Sequence, residues 1–343
     1  MMRALLLIAL LALAACSPEP SPAEHVLTYG SPYPPTHPFS RADITWMQTV
    51  ERESGGRIKF KPYWSGSLLS SSMSMLEVRH GLVDIGLITP IYTRGGAHML
   101  RAQSGFYGGV RDIAEQVGVY KCLAGAFPDY TAELRGLHVL AVQGGNFPGV
   151  VTRTRPIKTL EDFAGKRLRA PTENVDVLKA LGADPVNMPM GEVYSALAKG
   201  VIDGVVAPAD TIQSLHFGEV AKYFTQLHVP RGAYPARAMS DQAWRRLPGD
   251  LQALLRRSNR VWEAALMQQL LAAEEAGTKY GHAHGIQFEP LTQEEQDRFA
   301  RLYNDKALHQ AQLLSAIGLD GVPVFEKAQA LIAARAPQCE ATE

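Results

Sequence analysis

Residues 165–208 decide the fold. They read Gly165-Lys166-Arg167-Leu168-Arg169-Ala170-Pro171, then a helix-like run to Leu181-Gly182-Ala183-Asp184-Pro185-Val186. Pro189-Met190-Gly191-Glu192-Val193-Tyr194-Ser195-Ala196-Leu197 follows, then Gly200-Val201-Ile202-Asp203-Gly204 and Pro208. Two short aliphatic strands are joined through helices, and Arg169 stands at the end of the first. An arginine just before a strand-ending proline projects into the crevice at the carboxyl edge of a parallel sheet, where ligands bind in open α/β folds. Its rigid guanidinium fork matches a carboxylate bidentately. Arg167 shares the strand face with Arg169, because side chains alternate along a strand, but lies further from the strand's end.

Working outward, one unit occurs twice. Leu76 to His80 leads through Gly81 into Leu82-Val83-Asp84-Ile85-Gly86-Leu87-Ile88, and Tyr194 to Lys199 leads through Gly200 into Val201-Ile202-Asp203-Gly204-Val205-Val206. Each copy is a helix stopped by glycine at a position that favours positive φ, continuing into a short strand. Two copies so far apart suggest two lobes of like construction. Val26 to Gly30 reads as a first strand, Ser40 to Ser54 as a helix stopped by Gly55-Gly56, and Arg57 to Tyr63 as a second strand. From Gly249 to about Tyr280 there is no proline and only one glycine, Gly277, while Leu251, Leu254, Leu255, Trp262, Leu266 and Leu270 keep helical spacing. About thirty such residues make a helix of roughly 45 Å, long enough to cross two lobes.

The order Arg–Pro, Leu-Gly-Ala, Glu-x-Tyr-x-Ala-Leu, Gly-x-x-Asp-Gly resembles the solute-binding proteins of tripartite ATP-independent periplasmic (TRAP) transporters, the DctP type. The resemblance covers about residues 25–335. It implies an α/β, two-lobed periplasmic-binding-protein fold of the class II type with a long domain-spanning helix. Lobe I would take 25–148 and 235–275, and lobe II 149–234 and 276–335. It implies that Arg169 pairs with a ligand carboxylate, that the ligand is a small organic carboxylate passed to membrane permease subunits, and that no cofactor, metal or catalysis is involved. Glu192 and Tyr194 match the family's Glu-x-Tyr at a helix start, where a carboxylate is stabilised by exposed N–H groups; their expected roles are structural and packing.

Where the family carries further polar ligand contacts, this chain departs. The family's amide contact falls on Ala207, the second arginine of the acid-sugar-binding branch on Gly149 in Asn146-Phe147-Pro148-Gly149, and a glutamate of that branch on Thr89. The cleft keeps its carboxylate anchor and loses polar lining. Tyr33, Tyr92, Asn146, Phe147, Met190 and Tyr234 fall in the loops expected to face it. The expected ligand is therefore a monocarboxylate with an apolar or aromatic body, since apolar walls with a few placed polar groups are the norm for small-molecule sites.

The ends and the composition bound the rest. Met1-Met2-Arg3, an apolar run from Ala4 to Ala15 and Leu13-Ala14-Ala15-Cys16 fit a bacterial lipoprotein signal, with residues 1–16 ending at an acylated Cys16. Residues 17–24 read as a Pro-rich tether, and 336–343 as a disordered tail. These place the protein in the periplasm, lipid-anchored to the inner or the outer membrane. Ser17 after the lipid-bearing cysteine favours passage to the outer membrane, and so a second reading as a binding protein for a sensor or lipid-carrier pathway. Cys122 and Cys339 are the only other cysteines; pairing is permitted in an oxidising compartment, but the position of Cys339 in the tail argues against it. The 343 residues carry 34 basic and 34 acidic side chains and no basic stripe interleaved with aromatics, which excludes nucleic acid as a partner. No nucleophile elbow, Walker loop or dinucleotide fingerprint occurs, and His282-Ala283-His284 lacks the cysteines or spacing of a metal site.

Overall fold

The computed structural model describes residues 24–93, 95–335 and 339; Cys16 and the signal and tether segments lie outside the described residues. Among the described residues eleven strands form two sheets. The first sheet holds β1 (His25–Gly30), β2 (Ile58–Tyr63), β3 (Ile85–Leu87), β4 (Leu137–Gln143) and β10 (Tyr234–Ser240), in the order β2-β1-β3-β10-β4. The second holds β5 (Gly149–Thr152), β6 (Arg167–Arg169), β7 (Asp184–Val186), β8 (Gly204–Ala207), β9 (Tyr223–Gln226) and β11 (Gln287–Pro290), in the order β11-β9-β5-β8-β6-β7. The chain crosses between the sheets after β4, after β9 and along the long helical segment, giving two lobes with a cleft between them. Among the described residues no helix is long and apolar enough to cross a membrane.

The repeated unit folds as its sequence dictates. Gly81 and Gly200 sit at φ +77° and +70°, a region an L side chain rarely adopts, and each turns a helix into a strand of its sheet. β6 runs parallel to both β7 and β8, with Arg169 opposite Val186 on one side and Val205 on the other. That register puts Arg169 on the last rung of the parallel edge.

The expected long helix is present over 249–283, as Gly249–Arg257 and Asn259–Ala283 with one interruption at Ser258. The serine hydroxyl donates to the Leu255 carbonyl at 2.7 Å and accepts from the Trp46 indole at 2.7 Å. A side-chain bond back to the preceding turn competes with the helix ladder at that point. The apolar stripe survives the break, and Leu251, Leu254, Leu255, Trp262, Leu266 and Leu270 are all buried. The second helix packs first on the helix Pro38–Glu53 and β4, then on the short helix Asp210–Ser214 and β11. Its far end needs Gly277, where a β-carbon would stand 2.3 Å from the Ala209 carbonyl oxygen.

After β11, the helix Gln293–Leu313 packs on the helix Gly321–Ala334, which folds back over the helix Ile113–Ala126. Cys122 on that helix is disulfide-bonded to Cys339. The position of Cys339 near the chain end, read from sequence as an argument against pairing, does not prevent it. The returning helices bring the chain end back to the first lobe, an approach that cysteine spacing cannot reveal.

Candidate ligand-binding site

Arg169 is the centre of the cleft. Its side chain is 1 % exposed, although it is the longest cation the sheet could present. Nε donates to the Met188 carbonyl at 3.0 Å, Nη1 to the Val206 carbonyl at 3.5 Å and Nη2 to the Tyr92 hydroxyl, with the guanidinium 5.6 Å from the centre of the Tyr92 ring. Every one of these partners is neutral. A charge withdrawn from water is stabilised fully only by a counter-charge, and none of the hydrogen-bond partners of Arg169 supplies one. Tyr92 belongs to the turn Pro90–Tyr92 after β3, so its contact with Arg169 joins the two lobes.

The walls around Arg169 enclose a cavity of about 50 Å³. Tyr92, Ile91, Met190, Val206 and Tyr234 supply apolar surface, and Pro148, Pro171, Pro208 and Pro230 stiffen its rim. The Tyr234 hydroxyl accepts from Gln143 Nε2 at 2.8 Å, and burial pushes its pKa up to about 12, which keeps it neutral. Glu173, Asn174, Ser104 and Arg231 line the polar part. Burial pushes the Glu173 carboxyl above the usual carboxylate range, while its own backbone amide, Arg231 and Arg169 pull the other way.

Of the residues expected from sequence, Arg169, Tyr92, Met190 and Tyr234 come together. Tyr33 stands just behind them, stacked on His37 at 4.2 Å, with burial and then Tyr92 and Tyr234 raising its phenol. Thr89 does not line the cavity. Its hydroxyl is committed to the Ser71 carbonyl and its amide to Ser74 Oγ at 3.0 Å. Asn146 and Phe147 line a separate groove of about 320 Å³, and Asn146 Nδ2 donates to the Leu270 carbonyl at 2.8 Å. Ala207 lies in the second lobe's core with Val151, Val205 and Ile212. Alternation along β8 explains this: Val206 and Pro208 take the cavity face, so Ala207 takes the other. Arg167 is exposed and paired with Asp184 at 2.7 Å. Tyr194 donates to Glu219 at 2.8 Å, away from the cavity.

Sequence reasoning missed Arg231, Glu173, Asn174 and Ser104. Arg231 lies in the connection from β9 to β10, in Pro230-Arg231-Gly232, and a charged residue between a proline and a glycine at a lobe crossing was the available signal. Gly145 makes room for it, since a β-carbon there would stand 2.3 Å from the guanidinium carbon. Among the described residues no cluster of side chains fit to hold a metal occurs, and His282 stacks on Phe288 instead.

Residues 29–310 match the family model for bacterial extracellular solute-binding protein, family 7. The chain belongs to this family. One curated relative, a solute-binding protein of Albidiferax ferrireducens, is 28 % identical over 60 % of this chain and 61 % of its own length. The matches to the first three curated relatives span 61 %, 36 % and 56 % of those proteins. Among solved structures, a TRAP solute-binding protein from Rhodoferax ferrireducens with copurified benzoate superposes with a TM-score of 0.83 at 24 % identity, over 90 % of this chain and 98 % of that one. One from Bordetella bronchiseptica with bound mandelate gives 0.79 at 22 %, over 91 % and 100 %. One from Sulfitobacter with bound galacturonate gives 0.73 at 19 %, over 87 % and 99 %. At these identities the likeness establishes the shared two-lobed fold of the family.

Proposed function

We propose that this family 7 protein captures a small monocarboxylate with an apolar or aromatic body, outside the cytoplasm, and hands it to a TRAP-type membrane permease. The observation that carries the reading is the buried Arg169, which has only neutral partners and forms one wall of a largely apolar cavity. While Glu173 is ionised, the charge of the lining supports one anionic group rather than two. Arg169 and Arg231 are cations and Glu173 is a carboxyl, and no other charged residue lines the cavity among the described residues. With Glu173 ionised, one positive charge is left over. A second ligand carboxylate would need its own cation, and burying it unpaired costs several kcal/mol. An apolar ring gains about 25 cal/mol for each Å² buried. Relatives of the same fold that bind benzoate and mandelate agree with this reading, whereas the galacturonate-binding one shows that the fold alone does not select the ligand.

Ligand binding would shift an open–closed equilibrium by its differential affinity for the two states, with the Tyr92–Arg169 contact completing the closed cleft. The test is calorimetric titration with benzoate, succinate and galacturonate side by side. Benzoate is expected to bind at least tenfold tighter than either, about 1.4 kcal/mol; tighter binding of succinate or galacturonate would overturn the reading.

The Leu-Ala-Ala-Cys run motivates a lipid anchor at Cys16. Export is expected to leave a diacylglyceryl-modified Cys16 as the first residue, and Cys16→Ser to release the protein from the membrane fraction or stall its processing. Mass spectrometry of the mature N-terminus decides it, and an unmodified terminus elsewhere removes the anchor without touching the binding function.

A further inference from the structure

Two buried oxygens in the cleft have no hydrogen-bond partner among the described residues: Glu173 Oε2 and Asn174 Oδ1. Both residues line the cavity that holds Arg169. Both sit on the turn Thr172–Asn174, which follows Arg169 directly after Pro171. The nearest polar side chains do not satisfy them. The Ser104 hydroxyl is spent on the Arg101 carbonyl at 2.6 Å and the Thr172 hydroxyl on the Ile91 carbonyl at 3.1 Å; Arg231 donates to the Asn146 carbonyl at 3.4 Å, and none of its other N–H groups reaches either oxygen. A buried acceptor left without a donor costs about 1–3 kcal/mol, and such atoms are rare enough in native proteins to require a reason.

We infer that Glu173 and Asn174 form the selective end of the site and choose an aromatic monocarboxylate that carries a hydroxyl. The inference rests on Arg169 holding the ligand carboxylate. A hydroxyl suits both protonation states of Glu173. It donates to the ionised carboxylate, and toward the protonated acid it can donate or accept. An ammonium substituent is disfavoured, because Arg169 and Arg231 line the same cavity and like charges repel at short range in a poorly solvated site. Discrimination of this kind is stronger than discrimination by apolar fit. A site built to hydrogen-bond a hydroxyl rejects the analogue lacking it, because its own polar groups are then left unpaired.

The test compares acids with and without the hydroxyl: benzoate against its ring-hydroxylated derivatives, and phenylacetate against mandelate, titrated into the wild-type protein, Glu173→Met and Asn174→Leu. At least one hydroxy acid is expected to bind wild type about tenfold or more tighter than its parent, equivalent to about 1.4 kcal/mol. In Glu173→Met that preference is expected to fall by most of its size, while affinity for the parent acid stays level or rises. If a variant fails to fold, the wild-type comparison decides alone. Parent and hydroxy acids binding wild type equally well would overturn this inference and leave the Arg169 anchor standing. A hydroxyl preference that survives undiminished in both variants would also overturn it. Binding of none of these acids would overturn the anchor and this inference together.

Discussion

Arg169→Ala is expected to lower monocarboxylate affinity by about two to three decades while leaving the fold intact. The effect is asymmetric. The ligand charge would be withdrawn from water in the closed cleft without its partner, and breaking a buried ion pair costs about 3–5 kcal/mol. The ligand-free protein should lose little, because Arg169 makes no ion pair, and removing a buried charge offsets the loss of its bonds to two carbonyls and the Tyr92 hydroxyl. Thermal unfolding should therefore show an unchanged or higher midpoint without ligand and no rise when ligand is added. Arg169→Lys should also bind poorly, since a point charge cannot make the bidentate fork. Calorimetry showing wild-type affinity in Arg169→Ala would remove this residue from the site.

The second large effect is on stability. Asp43 and Arg237 form an ion pair at 2.6 Å whose side chains are 0 % and 2 % exposed. Asp43 Oδ1 also accepts from the Trp262 indole at 2.7 Å, and the Arg237 guanidinium lies 4.4 Å from the centre of that indole. The cluster ties the helix Pro38–Glu53, β10 and the helix Asn259–Ala283 at one point beneath the cleft. Arg237 also donates to Gln143, which in turn donates to the Tyr234 hydroxyl in the ligand cavity. Asp43→Ala would leave a buried guanidinium uncompensated and is expected to destabilise the protein by about 3–5 kcal/mol. Replacing both partners, as Asp43→Leu with Arg237→Met, should cost much less, because no charge is then stranded. Denaturant unfolding with linear extrapolation measures both. A loss below about 1 kcal/mol in Asp43→Ala would show that water or relaxation rescues the arginine.

These two clusters mark where sequence was legible and where it was not. Local signals read well. The glycines that stop helices, the period-two strands and the apolar stripe from Leu251 to Leu270 all act over a few residues, and the structure forms them as expected. The break at Ser258 was not legible, because the stripe stays in phase across it and its cause is Trp46, 212 residues away. Asp43 and Arg237 are 194 residues apart, and nothing in either neighbourhood marks them as partners. The cleft divides in the same way. Arg169 and Met190 lie on the stretch that decided the fold, and Tyr92 and Tyr234 on loops whose strands were recognisable. Arg231 reaches the cavity because Gly145, on another crossing segment, leaves room for it. Ala207 shows the limit of placing a residue by resemblance: the strand was placed correctly, and alternation puts Val206 and Pro208 on the cavity instead.

The most direct test of the central claim is a crystal structure of the protein grown with benzoate. The account predicts the carboxylate paired with the Arg169 guanidinium at about 2.7–2.9 Å from its nitrogens, with the ring against Tyr92, Met190 and Tyr234. A carboxylate held by Arg231 with Arg169 still bonded only to Met188, Val206 and Tyr92, or a benzoate bound in the groove beside Phe147, would contradict it.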